Sequence, residues 1–244
     1  MDNKVKKLTD AGAAPAQIAD GIYVLATIGC VSYSYMVVGK DKALVIDTGL
    51  GDADVYANAR KVTDLPLELV NTHGHGDHIG CNEKFDVVYA HPADHAKVSR
   101  KNKDIIPVQE GYVFDLGGRK LEVIETPGHT PGSICILDRA NKILFMGDSL
   151  YAGPLFLQFE YSSLKDYIAS IDKLVGMSDV IEYLLICHGD VCPMTLEDAK
   201  KARNLAQMLL DGKAPEGEPV HLDTEDGGYD VKVYSYDGAM IYYQ

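Results

Sequence analysis

Residues 67–80, LELVNTHGHGDHIG, run from an apolar stretch directly into three histidines and an aspartate held within six positions. The chain has only eight histidines in 244 residues, so this density stands well above background. The apolar half, LELVNT, reads as a buried strand, which puts the polar half on the loop at its C-terminal end. Loops in that position are where α/β architectures collect functional groups.

The same punctuation recurs downstream. His129 follows an apolar run at 121–126 in TPGHTPG, Asp148 follows 142–146 in FMGDS, and His188 follows 183–187 in LICHGD. His73, His75, Asp77, His78, His129, Asp148 and His188 therefore sit at corresponding ends of four expected strands. Imidazole nitrogens with carboxylate oxygens form the ligand set expected for zinc, and also for non-haem iron. His73 and His75 are two apart, so on an extended segment they point the same way and can grip one ion. Gly74 and Gly76 are expected to supply backbone freedom, letting four ligands from six residues address two ions.

Other candidates carry less. His91 and His95 have i,i+4 spacing but read as a loop histidine before proline and a helix-surface histidine. His221, in an acidic tail, reads as solvated. Cys187 lies in a buried strand, alternates away from His188 and reads as core packing. Asp47, ending the strand of VIDTG, reads as an anchor for the ligand loop, because histidine ligands usually lean on acceptors behind them.

The remaining sequence frames these loops. Glycine- and aspartate-broken apolar runs at 21–29, 32–39 and 42–49 read as strands, and 52–62 as a short helix. Hairpin-like patterns cover 112–128 and 133–148. Amphipathic helices are expected over 162–176, with Ser163 and Asp166 as a capping pair, and over 195–212, ending at Gly212. Residues 231–243 alternate around Asp237-Gly238, a hairpin signal. The acidic, glycine-rich stretch 214–230 reads as a mobile connection. This predicts one mixed α/β domain over 1–244, with an N-terminal extension at 1–20 and the connection plus hairpin at 214–244.

Composition narrows the partners. Twenty-three Lys and Arg against 36 Asp and Glu give a formal charge of −13, which argues against nucleic acid. Five scattered cysteines (30, 81, 135, 187, 192) form no CxxC pair and suggest reduced thiols in a cytoplasmic protein. No apolar run approaches the ~20 residues of a membrane span, and the N-terminus has no apolar signal region. The expected partner is a small-molecule substrate, with no nucleic acid and no membrane; a homodimer stays open.

Through VIDTG (45–49), THGHGDH (72–78), TPGHTPGS (126–133), GDS (147–149) and CHGD (187–190), the chain resembles metallo-β-lactamase-fold hydrolases over roughly residues 20–190. The resemblance implies a four-layer αβ/βα sandwich with the site at one edge. It implies two zinc ions, with iron or manganese as alternatives. His73, His75 and His129 would hold one ion and Asp77, His78 and His188 the other, with Asp148 bridging. A shared hydroxide would attack a carbonyl or phosphoryl centre, and Asp77 would orient it or pass a proton to the leaving group. Aspartate at 148, where classical β-lactamases usually carry cysteine or serine, tilts the expectation toward small esters, lactones or thioesters. TPGHTPGS is similar to glyoxalase II, but the tail beyond residue 212 offers only Lys213 and Lys232. Tyr151 stands where similar lactonases use a tyrosine to hold the substrate carbonyl. Persulfide dioxygenases share HxHxDH but use a single iron and only a subset of the ligands, which gives an alternative reading as an oxidoreductase; a third is a metal-bound sensor or binding module without turnover.

Overall fold

The computed structural model describes residues 5–10, 13–26, 31–99, 104–190, 192–224 and 227–244, so Cys30 and part of the N-terminal extension lie outside the described residues. Strands β1 (Ala16–Ala19), β2 (Ile22–Ala26), β3 (Ser34–Val38) and β4 (Ala43–Ile46) form an antiparallel meander. Helix α1 (Val55–Val62) then crosses to β5 (Leu67–Val70), which lies parallel to β4. β6 (Val88–Ala90) and, after the single turn of α2 (His95–Val98), β7 (Ile105–Pro107) extend the parallel half.

A second sheet begins with β8 (Val113–Asp115), β9 (Lys120–Glu125), β10 (Ile134–Asp138) and β11 (Ile143–Phe145), all antiparallel. The chain leaves through β12 (Pro154–Phe156) and α3 (Leu164–Gly176), then returns as β13 (Tyr183–Leu185), parallel to β11. α4 (Leu196–Leu210) follows; its Thr195 and Asp198 close a reciprocal capping box.

β4 explains why these strands are apolar throughout. Leu44 and Ile46 face the second sheet with Tyr35, Ile134 and Ile136, while Ala43 and Val45 face Val55 and Ala59 of α1. A strand covered on both faces loses the polar alternation of a half-exposed one. α3 and α4 bury Tyr167, Ile171, Leu174, Ala199, Ala202 and Leu205 in the core that the two sheets share. The result is the four-layer αβ/βα sandwich expected from the resemblance. No helix among the described residues is long and apolar enough to cross a membrane.

The segment 214–230 departs from expectation. Residues 218–224 and 227–236 are strands, β14 (Glu218–Thr224) and β15 (Gly227–Tyr236), paired in register. With β16 (Ala239–Tyr243) and β12 they form a third sheet ordered β12-β16-β15-β14. Val220 and Leu222 alternate with exposed neighbours, a period-2 pattern masked in the sequence by surrounding acids and glycines. The turn at Asp237 (φ 50°) and Gly238 (φ 83°) has the left-handed backbone of a tight hairpin, as its sequence predicts.

The loop after β4 and the ligand loop after β5 are bolted together. Thr48 N donates to His78 O at 2.9 Å, and Gly80 N donates to Gly49 O at 2.7 Å. A Cβ on Gly80 would lie 2.2–2.6 Å from backbone atoms of Leu50, Gly51 and Gly49. Gly80→Ala must push the two loops apart, costing about 2–3 kcal/mol. At 2–4 °C per kcal/mol, thermal melting should show a drop of roughly 4–12 °C. An unchanged melting temperature would contradict this contact.

Candidate metal centre

The strand ends bring all seven expected residues together. His75 Nδ1 lies 3.0 Å from His73 Nε2 and 2.9 Å from His129 Nε2. Asp148 Oδ2 closes this group, 3.6 Å from His73 Nε2 and 3.5 Å from His129 Nε2. The other oxygen, Oδ1, lies 3.1 Å from His78 Nε2 and 3.3 Å from His188 Nε2. Asp77 Oδ2 completes the second group, 3.4 Å from His188 Nε2 and 3.7 Å from His78 Nε2. A tetrahedral shell with bonds of ~2.0–2.1 Å spaces its donors roughly 3.3 Å apart, so both groups have the dimensions to hold a metal ion.

Each imidazole is oriented from behind. His78 Nδ1 donates to Asp47 Oδ2 at 2.8 Å, His129 Nδ1 to Phe156 O at 2.6 Å and His188 Nδ1 to Val31 O at 2.9 Å. The Thr72 hydroxyl donates to Asp47 Oδ2 at 2.7 Å, so it accepts from His73 Nδ1 at 3.2 Å. In the neutral form these bonds leave Nε2 of His73, His78, His129 and His188 with its lone pair facing inward. His75 is reversed: Nδ1 faces the group, and Nε2 meets the Tyr161 hydroxyl at 2.7 Å. Lys97 Nζ donates to that hydroxyl at 2.8 Å.

The electrostatics suit a cation. Burial, helped by neighbouring imidazoles, pushes His73 and His75 below the usual histidine range, and burial lowers His129 despite Asp148. These three are neutral donors. Burial alone would lower His78 and His188 too, but the carboxylates beside them, Asp148 above all, raise both. Burial would raise Asp148, yet His78, His188 and His73 hold it well below the usual carboxylate range. Asp148 Oδ1 is buried and receives no hydrogen bond. A buried carboxylate oxygen without a donor is costly unless a cation compensates it, so the residues fit a metal.

Asp47 takes Thr72 N at 2.8 Å on Oδ1 and both Thr72 Oγ1 and His78 on Oδ2, making it the anchor of the ligand loop. Cys187 lies behind the site against Asp47, its thiol pushed up by burial and by that carboxylate. His91 meets Glu125 and His95 meets Ala90 O, both apart from the centre. His221 is exposed on β14.

The glycines act differently than expected. Neither Gly74 nor Gly76 takes a left-handed backbone. Gly74 instead gives room, since a Cβ there would lie 2.6 Å from Lys97 Cβ. Buried Asp94 Oδ2 accepts from Gly74 N and from Thr130 Oγ1, each at 2.9 Å, tying the His73 and His129 loops together. Asp94, Tyr161 and Lys97 carry no motif in the sequence.

A cavity of about 540 Å³ opens over the centre. Phe156, Phe159 and Tyr151 form its aromatic wall, with Val31 and Leu50 also lining it. The Tyr151 hydroxyl donates to Asp148 Oδ2, and burial followed by Asp148 keeps the phenol protonated.

Because Tyr161 orients His75, Tyr161→Phe should weaken metal binding about 10–100-fold, the usual loss when such a partner is removed. Competition with a chromophoric chelator measures it, and unchanged affinity would contradict the orienting role.

Comparisons with known proteins give the family and the fold. The family model described as the Metallo-beta-lactamase superfamily matches residues 27–184. An acyl-coenzyme A thioesterase, MBLAC2 of Gallus gallus, is 33% identical over 196 residues, covering 63% of this chain and 71% of the relative. A hydroxyacylglutathione hydrolase of Francisella tularensis subsp. novicida is 33% identical over 151 residues, 59% of each chain. Among solved structures, a metallo-beta-lactamase from Pontibacter korlensis aligns with a TM-score of 0.64 at 22% identity, covering 79% of this chain and 97% of that one. The two similar curated proteins are hydrolases by name. The chain, with its His/Asp metal-binding cluster, belongs to the metallo-beta-lactamase superfamily.

Proposed function

We propose that the protein is a zinc-dependent hydrolase that opens a thioester. In this reading His73, His75 and His129 would hold one zinc and Asp77, His78 and His188 a second, with Asp148 between the two sets. The observation that carries it is the Asp148 carboxylate, whose two oxygens face two different sets of imidazoles at 3.1–3.6 Å. A complete second set argues against the mononuclear iron dioxygenase. Manganese and iron suit the same donors less selectively.

Two similar hydrolases, whose names describe an acyl-coenzyme A and a hydroxyacylglutathione, support the choice of a thioester. In the reaction a C–O bond forms from water, the C–S bond breaks, and a proton passes to the departing sulfur. When bound, the ions supply water acidified toward neutral pH and polarise the carbonyl oxygen. Asp77, a quarter exposed where the other carboxylate is buried, faces the pocket and moves the proton toward the sulfur. Tyr151, kept protonated, turns its hydroxyl from Asp148 to the substrate carbonyl. The aromatic wall excludes water around the acyl group.

Elemental analysis of the purified protein should find two zinc ions per chain, together with thioester hydrolysis; one iron per chain would overturn the reading. His129→Ala should lose metal and turnover together. Tyr151→Phe should keep its metal yet lose about 10²-fold in kcat, the usual cost of removing one carbonyl-oxygen donor. Unchanged kinetics in that variant would leave Tyr151 with no role in turnover.

A further inference from the structure

The residues that line the pocket do not all come from the part of the chain that matches the family. The match ends at residue 184, yet Asp223 and Thr224 of β14 line the same cavity as the metal ligands. The third sheet that carries them is built into the site. β12 pairs with β16 through Phe156 and Tyr242, and the carbonyl of Phe156 is the acceptor that orients His129. The rings of Phe156 and Tyr242 meet at 5.0 Å, and those of Phe159 and Tyr229 at 5.4 Å. The C-terminal strands therefore back the aromatic wall and extend past it to the rim.

That rim is acidic. Among the described lining residues there are carboxylates at Asp77, Asp148 and Asp223, and no lysine or arginine. Asp77 and Asp148 belong to the cation site and are compensated when it is loaded. Asp223 is the charge that the wall itself presents, with a side chain 93% exposed. Its neighbour His221 lies 3.4 Å away and meets Asp230 at 2.7 Å. Even a fully protonated His221 leaves two carboxylates against one imidazolium, so this edge stays negative. The sequence beyond residue 212 adds to the bias, with Lys213 and Lys232 against seven acidic residues.

Resting on the thioesterase reading, we propose that Asp223 is a specificity residue that favours thioesters whose leaving thiol carries a positive charge, such as an ammonium-bearing thiol. Coenzyme A and glutathione are both anionic near neutral pH, and an acidic wall repels them. Like charges brought together at a binding surface are disfavoured, whereas opposite charges fix orientation and speed encounter. An exposed carboxylate acts through solvent, so the preference is modest and falls as salt rises.

Three butyryl thioesters differing in the charge of the thiol test this on the zinc-loaded full chain: butyrylthiocholine, S-butyryl-2-mercaptoethanol and S-butyryl-3-mercaptopropionate. The expected order of kcat/KM is cation, neutral, anion, with about a 10-fold span between cation and anion at low salt. The span should shrink in added salt, narrow in Asp223→Asn and reverse in Asp223→Lys, with two zinc ions retained in each variant. Hydrolysis of all three with a ratio that ignores salt and Asp223→Lys overturns the selectivity while leaving the hydrolase reading intact. Bound zinc with no hydrolysis of any of the three, nor of acyl-coenzyme A or acylglutathione, overturns the hydrolase reading itself.

Discussion

A carboxylate buried among imidazoles, that of Asp148, is the interaction on which the rest of the site depends. In the interior an ionised carboxylate is stable only with compensating charge and hydrogen bonds. Asp148 has its hydroxyl partner, Tyr151, on Oδ2 alone, while Oδ1 faces His78 and His188 without a hydrogen bond. Half of its demand is thus met by the chain, and the other half is left to cations. The imidazoles that face it have their outer nitrogens tied to Asp47, Thr72, Phe156 O, Val31 O and Tyr161. Ligands fixed in this way lose little freedom when a metal binds.

Asp47 shows how the fold delivers this order. It sits at the end of β4 with φ 60°, a backbone that an aspartate tolerates better than most residues. From there its carboxylate reaches across to the next parallel strand, gathering Thr72 and His78. The parallel pairing of β4 with β5, and of β11 with β13, brings strand ends from each sheet to one edge. Asp94 adds a tie from beyond β6, joining loops that belong to different sheets.

Much of this was legible in the sequence, and the reason is physical. A buried strand that ends in a histidine or aspartate is readable because the apolar run gives the strand and the polar residue gives the edge. Seven donors at four such ends, together with VIDTG, were enough to anticipate the cluster and the Asp47 anchor. What escaped was set by packing between distant segments. Which nitrogen of His75 turns inward depends on Tyr161, 86 positions away. The need for glycine at 74 comes from the approach of Lys97, not from its own backbone angles. Residues 214–230 looked mobile because acids and glycines hid the alternation of Val220 and Leu222, and only pairing with β15 makes the strand visible. Tertiary context overrode local composition there.

The proposed two-ion centre requires Asp148 to divide the other six donors, His73, His75 and His129 from Asp77, His78 and His188, between two adjacent sites. Anomalous diffraction at the zinc edge, from crystals of the zinc-loaded protein, tests it most directly. Two peaks of comparable height are expected, ~3.5–4 Å apart, on either side of Asp148 and each within bonding distance of its own histidines. A single peak at either group, with the other donors bonded only to one another, would contradict it.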